Sequence, residues 1–145
     1  VAGQKRLKVF LDSNVFFAAL YMDMKGSYPS IILRLAQEHC FDLYFSTLVE
    51  LEVKHNIAKK LPQKRFQVDS LFKNFKKLED VSLELSLLKR LSEKDRIIIS
   101  TAIYHRMNYF VTGNTKDFSY LLGKKIDQTF VLAPKNFCLR EFADN

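Results

Sequence analysis

Tryptophan is absent from the 145 residues, and cysteine, proline and glycine are scarce, at two, three and four. Each shortage excludes something. Cys40 and Cys138 lie far apart and outside any CxxC or Cys/His spacing, which argues against a structural zinc site and leaves two free thiols, as in a reducing cytosol. So few Gly and Pro cannot punctuate a multi-domain chain. No repeat or low-complexity tract is present, so residues 1–145 are expected to form a single domain. No apolar stretch approaches membrane-spanning length and no secretory signal pattern is visible, so a cytoplasmic setting without a membrane is expected.

What is present points to a folded, basic domain. Hydrophobic residues make up 48% of the chain, enough for a core, and thirteen Phe are expected to carry much of its packing. The net charge of +7 and pI near 9.4 favour a polyanionic partner such as nucleic acid.

Short β-type runs alternate with longer helical ones. "LKVFL", "DLYFS", "NYFVT" and "TFVLA" read as strands, and "VSLEL" as a strand or a connecting segment. Helices are expected from Ser13 to about Met22, over "SIILRLAQEHC" behind Pro29, over "TLVELEVKHNIAKK" up to the break at Pro62, and over "SEKDRIIISTAIYHRM". "NTKDFSYLL" reads as a short helix and "PKNFCLREF" as a closing one. In "QKRFQVDSLFKNFKKL", Val68, Leu71, Phe72, Phe75 and Leu78 fall on one helical stripe. This alternation predicts an α/β fold of three layers, a central parallel sheet of four to five strands with helices on both faces. Ligand sites in such folds lie beyond the carboxyl ends of the strands.

Acidic residues gather at those ends. Asp12 follows "LKVFL" at once, with Ser13 and Asn14 behind it. Glu50 and Glu52 follow "DLYFS". Asp95 stands in the first turn of its helix, and Asn114 and Asp117 follow "NYFVT". At about 100° per residue, Glu52 falls between Leu48 and Val49, inside the apolar arc, whereas Glu50 falls beside its i+4 neighbour Lys54. Asp95 aligns with Ile98, Ile99 and Ala102, and an acid on a stripe due for burial needs a reason. Two unit charges about 4 Å apart repel by roughly 4 kcal/mol at an effective dielectric near 20. A divalent cation relieves this, and hard oxygen ligands suit Mg²⁺ or Mn²⁺. Such a cation polarises a phosphoryl oxygen and activates water, the needs of phosphodiester hydrolysis.

Each acid also has a plainer reading. Asp12 can cap the next helix, Ser92 and Asp95 fit a capping box, and Asn114 and Asp117 fit N-cap and N3 positions. Glu52 alone can be an ordinary surface acid. The basic residues Lys59, Lys60, Lys64, Arg65, Lys73, Lys76 and Lys77 read mostly as a solvated face, with one or two reaching nucleic-acid phosphates. The Tyr residues show no interleaving that would suggest base stacking. His55 and His105 read as structural or exposed.

Taken in order, the motifs resemble those of PIN-domain nucleases, a family that includes prokaryotic toxin RNases and RNA-processing endonucleases. "FLDSNVFFAAL" resembles the family's opening strand with its Asp-Thr/Ser-Asn signature. "FSTLVELEV" resembles the second strand and helix, and the family's acidic residue six positions after the strand-end Ser46 is Glu52. "EKDRIIISTAIYHRMNYFVTGNTKDF" resembles the Asp-led helix, the next strand and its Thr-x-Asp/Asn-x-x-Asp-Phe ending. The resemblance runs from roughly Lys8 to Phe137.

It implies a Mg²⁺- or Mn²⁺-dependent endoribonuclease with Asp12, Glu52, Asp95 and Asp117 as its catalytic acids. Asp12, Asp95 and Asp117 would hold the metal, and Ser13, Asn14, Thr112 and Asn114 would support them. Many relatives carry an acid where this chain has Asn114. Either Asp117 is then the fourth carboxylate or the site is one charge short, so the number of metals stays open. The expected partners are RNA, an antitoxin-like inhibitory protein and a second copy of the chain. Two other functions compete. One is a non-catalytic RNA-binding or scaffold domain, favoured by Asn114. The other is a phosphatase with Asp12 as nucleophile, which should have a second Asp where Asn14 stands.

Overall fold

The structure is a computed structural model that describes residues 6–22 and 26–143. Its strands are β1 (Lys8–Leu11), β2 (Asp42–Ser46), β3 (Lys76–Leu78), β4 (Tyr109–Val111), β5 (Lys125–Ile126) and β6 (Thr129–Leu132). Its helices are α1 (Ser13–Met22), α2 (Tyr28–Gln37), α3 (Thr47–Lys60), α4 (Arg65–Phe72), α5 (Glu93–Tyr104) and α6 (Pro134–Phe142). The six strands form one sheet in the order β3-β2-β1-β4-β6-β5, parallel except for β5, which pairs antiparallel with β6.

The expected α/β architecture with helices around a mostly parallel sheet is present, with six strands rather than four to five. In the central strand β1, Val9, Phe10 and Leu11 are all fully buried. That run is the mark of a strand covered on both faces. On one part of the surface α1 packs against α2 and α3, α3 against α4, and α2 against α6, while α5 lies against β4.

Phenylalanine does carry the core. Eight of the thirteen are buried, and Phe45 and Phe16 close on Phe72 with ring centroids 4.6 and 4.9 Å away. Phe10 stacks on Phe110 across β1 and β4 at 5.8 Å. Such offset and tilted pairs add to the area they bury.

Two local expectations are corrected, and a third segment takes one of its two expected forms. The helix on the Phe72 stripe stops at Phe72, and Lys76–Leu78 instead pairs with β2 as an edge strand. That pairing satisfies backbone groups of β2, and the edge is blunted by exposed Lys76 and Lys77. "VSLEL" forms no strand; Val81 N–H donates to Thr101 Oγ1 of α5 at 2.9 Å. "NTKDFSYLL" is a run of turns rather than a helix, anchored by buried Phe118 and Leu121.

Glycine is scarce where helices end. His39 and Arg106 follow α2 and α5 with φ of 64° and 61°, the left-handed region that favours Gly. Cys40 N and Met107 N then bond back to Leu35 O and Ala102 O, both at 3.0 Å. Arg106 is exposed, so Arg106→Gly loses little contact. Relief of left-handed strain, about 1–2 kcal/mol, exceeds the added unfolded-chain entropy of about 0.5–1 kcal/mol. Chemical denaturation is expected to show a stabilisation of about 0.5–1 kcal/mol.

Candidate active site

Parallel pairing brings the carboxyl ends of β1, β2, β4 and β6 to one edge of the sheet. The chain passes to one side of β1 for β2 and β3 and to the other for β4 and β6. The crevice between β1 and β4 is therefore the topological switch point, where open α/β sheets bind ligands. Asp12 stands there. Its N–H donates to Val111 O at 2.9 Å, which continues the β1–β4 ladder by one residue.

Asp12 is 2% exposed and is held by three donors. Ser13 N–H donates to Oδ1 at 2.7 Å, while Thr112 Oγ1–H and Asn14 Nδ2–H donate to Oδ2 at 2.8 and 3.1 Å. Burial nevertheless pushes its carboxyl up to about 6, against those hydrogen bonds and with help from the charge of Asp95. The ionised form of Asp12 is thus costly, and among the described residues no basic side chain forms a salt bridge with it.

Asn14 and Thr112 are fixed in turn. Asn14 Oδ1 accepts from Gly113 N at 2.5 Å. A Cβ at Gly113 would come within 3.0 Å of that oxygen, so glycine permits the approach. Buried Thr112 Oγ1 accepts from Asn114 N at 3.0 Å. Asn114 and Asp117 bond reciprocally, Asn114 Nδ2–H to Asp117 Oδ2 at 3.0 Å and Asp117 N–H to Asn114 Oδ1 at 3.2 Å. The cap-like pairing read from the sequence exists, without a helix behind it.

Glu52 faces the site and Glu50 does not. Ser13 Oγ–H donates to Glu52 Oε1 at 2.9 Å, and Lys94 Nζ lies 2.5 Å from Oε2. Glu50 instead pairs with Lys54 at 2.9 Å and Lys77 at 2.8 Å. Partial burial raises the Glu50 carboxyl, but the hydrogen bonds of Lys77 and Lys54 outweigh it and hold the group below its ordinary value.

Asp95 is buried on the inward stripe of α5, as its alignment with Ile98, Ile99 and Ala102 requires. Its N–H caps onto Ser92 Oγ at 3.2 Å. Burial raises its carboxyl, the Ser92 hydrogen bond and Lys94 oppose this, and the charges of Asp117 and Glu52 raise it further. Asp12, Glu52, Asp95 and Asp117 therefore share one electrostatic neighbourhood. Among the described residues, no three such side chains are drawn into a ready-made metal cluster.

Two residues at the site escaped the sequence reading. Lys94 reads as one more surface lysine in "SEKD", yet its ammonium sits on Glu52 and within the field of Asp95 and Asp12, which with the Glu52 hydrogen bond raises its pKa. Gly113 had only its rarity as a signal. His55 is exposed, and His105 is close to the Glu79 carbonyl at 3.3 Å, so neither enters the site.

The donor set fits a divalent cation. It consists of hard oxygens, with the buried Asp12 carboxylate held by neutral donors and the Asp95 carboxylate near enough to feel its charge.

The PIN domain family model matches residues 9–121, and the chain belongs to the PIN-domain family, whose members are generally nucleases. No curated protein matches the chain. Among solved structures, it is similar to VapBC2 from Rickettsia felis bound to a DNA fragment from their promoter. The identity is 17% and the TM-score 0.61, over 88% of this chain and 98% of that one. It is also similar to DNA-bound VapBC from Salmonella typhimurium, at 17% identity and a TM-score of 0.62, with the same coverage. At this identity the likeness is one of fold.

Proposed function

We propose that the protein is a Mg²⁺- or Mn²⁺-dependent endoribonuclease. The observation that carries this is buried Asp12 at the β1–β4 switch point, with Asp95 near enough to raise its carboxyl and Glu52 hydrogen-bonded to the adjacent Ser13. Asp12, Asp95 and Asp117 would hold the cation. When bound, it supplies Lewis-acid polarisation of the phosphoryl group and a water acidified enough to attack near neutral pH. The side chains around it have separate tasks. Thr112, Asn14 and the Ser13 amide fix both oxygens of Asp12. Glu52 orients the Ser13 hydroxyl and holds the Lys94 ammonium beside the acids, where a phosphate oxygen can meet it.

An antitoxin-like inhibitory partner belongs to the same proposal. The toxin-type resemblance of the sequence and the fold likeness to the two VapBC structures support it. The reaction class is tested by supplying Mg²⁺ with an RNA strand and, separately, with a small phosphomonoester. RNA cleavage without monoester hydrolysis is expected. Hydrolysis of the monoester alone would favour a phosphatase, and turnover of neither a scaffold.

The Asn114–Asp117 pair decides whether this segment holds metal. If Asp117 is a ligand, Asp117→Asn raises the Mg²⁺ concentration for half-maximal cleavage and Asn114→Asp lowers it. Both changes should move stability by about 1 kcal/mol or less. The measurement is a Mg²⁺ titration of all three proteins with melting curves in parallel. Superimposable titrations with shifted melting would leave Asn114 and Asp117 as turn residues only.

A further inference from the structure

The basic residues that read as one solvated face divide into two groups. Lys76 and Lys77 are paired with Asp42 and Glu50. Among the described residues, no salt bridge engages Lys59, Lys60 or Arg65. The stretch from Lys59 to Gln67 holds four basic residues and no acidic one. It borders aromatic rings.

On α1, Ser13, Phe17 and Tyr21 recur at four-residue spacing and so share one stripe. Phe17 and Tyr21 stack with centroids 5.4 Å apart and planes 24° from parallel, and Tyr21 is 51% exposed. Lys60 Nζ lies over the Phe17 ring at 5.4 Å. Lys64 Nζ donates to the Leu20 carbonyl, tying the start of the next turn to the same end of α1. Just beyond it Phe66 is 81% exposed, with the Arg65 guanidinium 5.9 Å from its ring. A large exposed ring carrying a cation has little to gain in a monomer's surface.

This strip is continuous with the acidic site. Ser13, at the head of α1, bonds Glu52 of α3, and further along the same two helices Phe17 meets Lys60. The eight helical rises from Ser13 to Tyr21 span about 12 Å. At a stacked rise of roughly 3.4 Å this accommodates about three nucleotides.

We propose that Phe17, Tyr21 and Lys60, extended by Arg65 and Phe66, form a binding track for single-stranded RNA that delivers the strand to the acidic site. Unstacked bases lie on the rings, which accept any base, while Lys60 and Arg65 meet the backbone phosphates. A duplex keeps its base faces covered and cannot use the rings. The delivery role rests on the nuclease reading above; the binding role does not.

The test is fluorescence anisotropy of the full chain with a labelled oligouridylate of about twelve nucleotides, in EDTA so that no cleavage occurs. Tyr21→Ala and Phe66→Ala are expected to weaken binding about 5- to 50-fold each, and Tyr21→Phe to leave it near wild type. Lys60→Ala should weaken binding and reduce the salt slope by about one. Lys124→Ala, outside the strip, should change nothing specific to it. Circular dichroism checks the fold of each variant.

Wild-type affinity in Tyr21→Ala and Lys60→Ala, or no binding by the wild type, would overturn the track. So would a change of oligomeric state in these variants with RNA affinity intact, which would make the strip a protein interface. If the wild type binds through Tyr21 and Lys60 but cleaves nothing with either cation, the track stands and the nuclease reading falls.

Discussion

Asp12→Asn is expected to abolish cation-dependent RNA cleavage while the protein stays folded. The carboxylate is central to the cluster and accepts from Ser13, Asn14 and Thr112. An amide at this position removes the ligand charge and turns one acceptor into a donor. The effect on stability has two opposing parts. Burial lifts the Asp12 carboxyl from 3.8 to about 6. The folded state thus binds the proton more tightly than the unfolded chain does. Stability from this group is present below pH 3.8 and is lost as pH rises through about 6. The loss is about 3 kcal/mol at neutral pH.

Asparagine carries no such cost, but it leaves one donor facing an amide NH₂, a penalty of about 1–3 kcal/mol. The variant is expected to be slightly more stable than wild type at pH 7 without metal, by about 1 kcal/mol. Its melting temperature should fall less than that of the wild type between pH 4 and pH 7. Asp95→Asn should likewise lose cleavage, since it removes a second acid from the cluster. Retained cleavage in either variant, or loss of helical signal, counts against the assignment.

The second large effect separates two glutamates two residues apart. Glu52→Gln is expected to lower the cleavage rate by about 10- to 100-fold or more, because it removes the charge that holds Lys94 and leaves one acceptor oxygen where Ser13 and Lys94 use two. Glu50→Gln should leave the rate nearly unchanged. Its carboxylate is committed to Lys54 and Lys77, both partly exposed, and such pairs contribute about 1 kcal/mol or less after solvent screening. Steady-state rates on one RNA substrate decide the matter. Equal losses, or a greater loss at Glu50, would mean that the site opens on the other side of α3.

The readable parts of this protein were those encoded locally. The helix expected over "TLVELEVKHNIAKK" is α3 as observed, because Ser46 caps its start and Pro62 follows its end. Helical phase alone placed Glu52 inward and Glu50 beside Lys54. The buried stripe of α5 likewise identified Asp95. What escaped depends on distant partners. β3 is a strand only because β2 offers it an edge, and nothing in "KKL" announces that. The segment after Thr112 is a run of turns although Asn114 and Asp117 make the paired hydrogen bonds of a helix start, so its local signal reads as a helix. Lys94 became part of the site only when α5 was set against α3. Phe17 and Lys60 are 43 positions apart in sequence and meet only through the packing of α1 on α3.

The central claim is tested most directly by incubating the purified chain with an internally labelled RNA in EDTA, in Mg²⁺ and in Mn²⁺, with Asp12→Asn in parallel. Fragments with internal ends are expected from the wild type with either cation, and none in EDTA or from Asp12→Asn. Intact RNA under every wild-type condition, or the same fragments from Asp12→Asn or in EDTA, would contradict it.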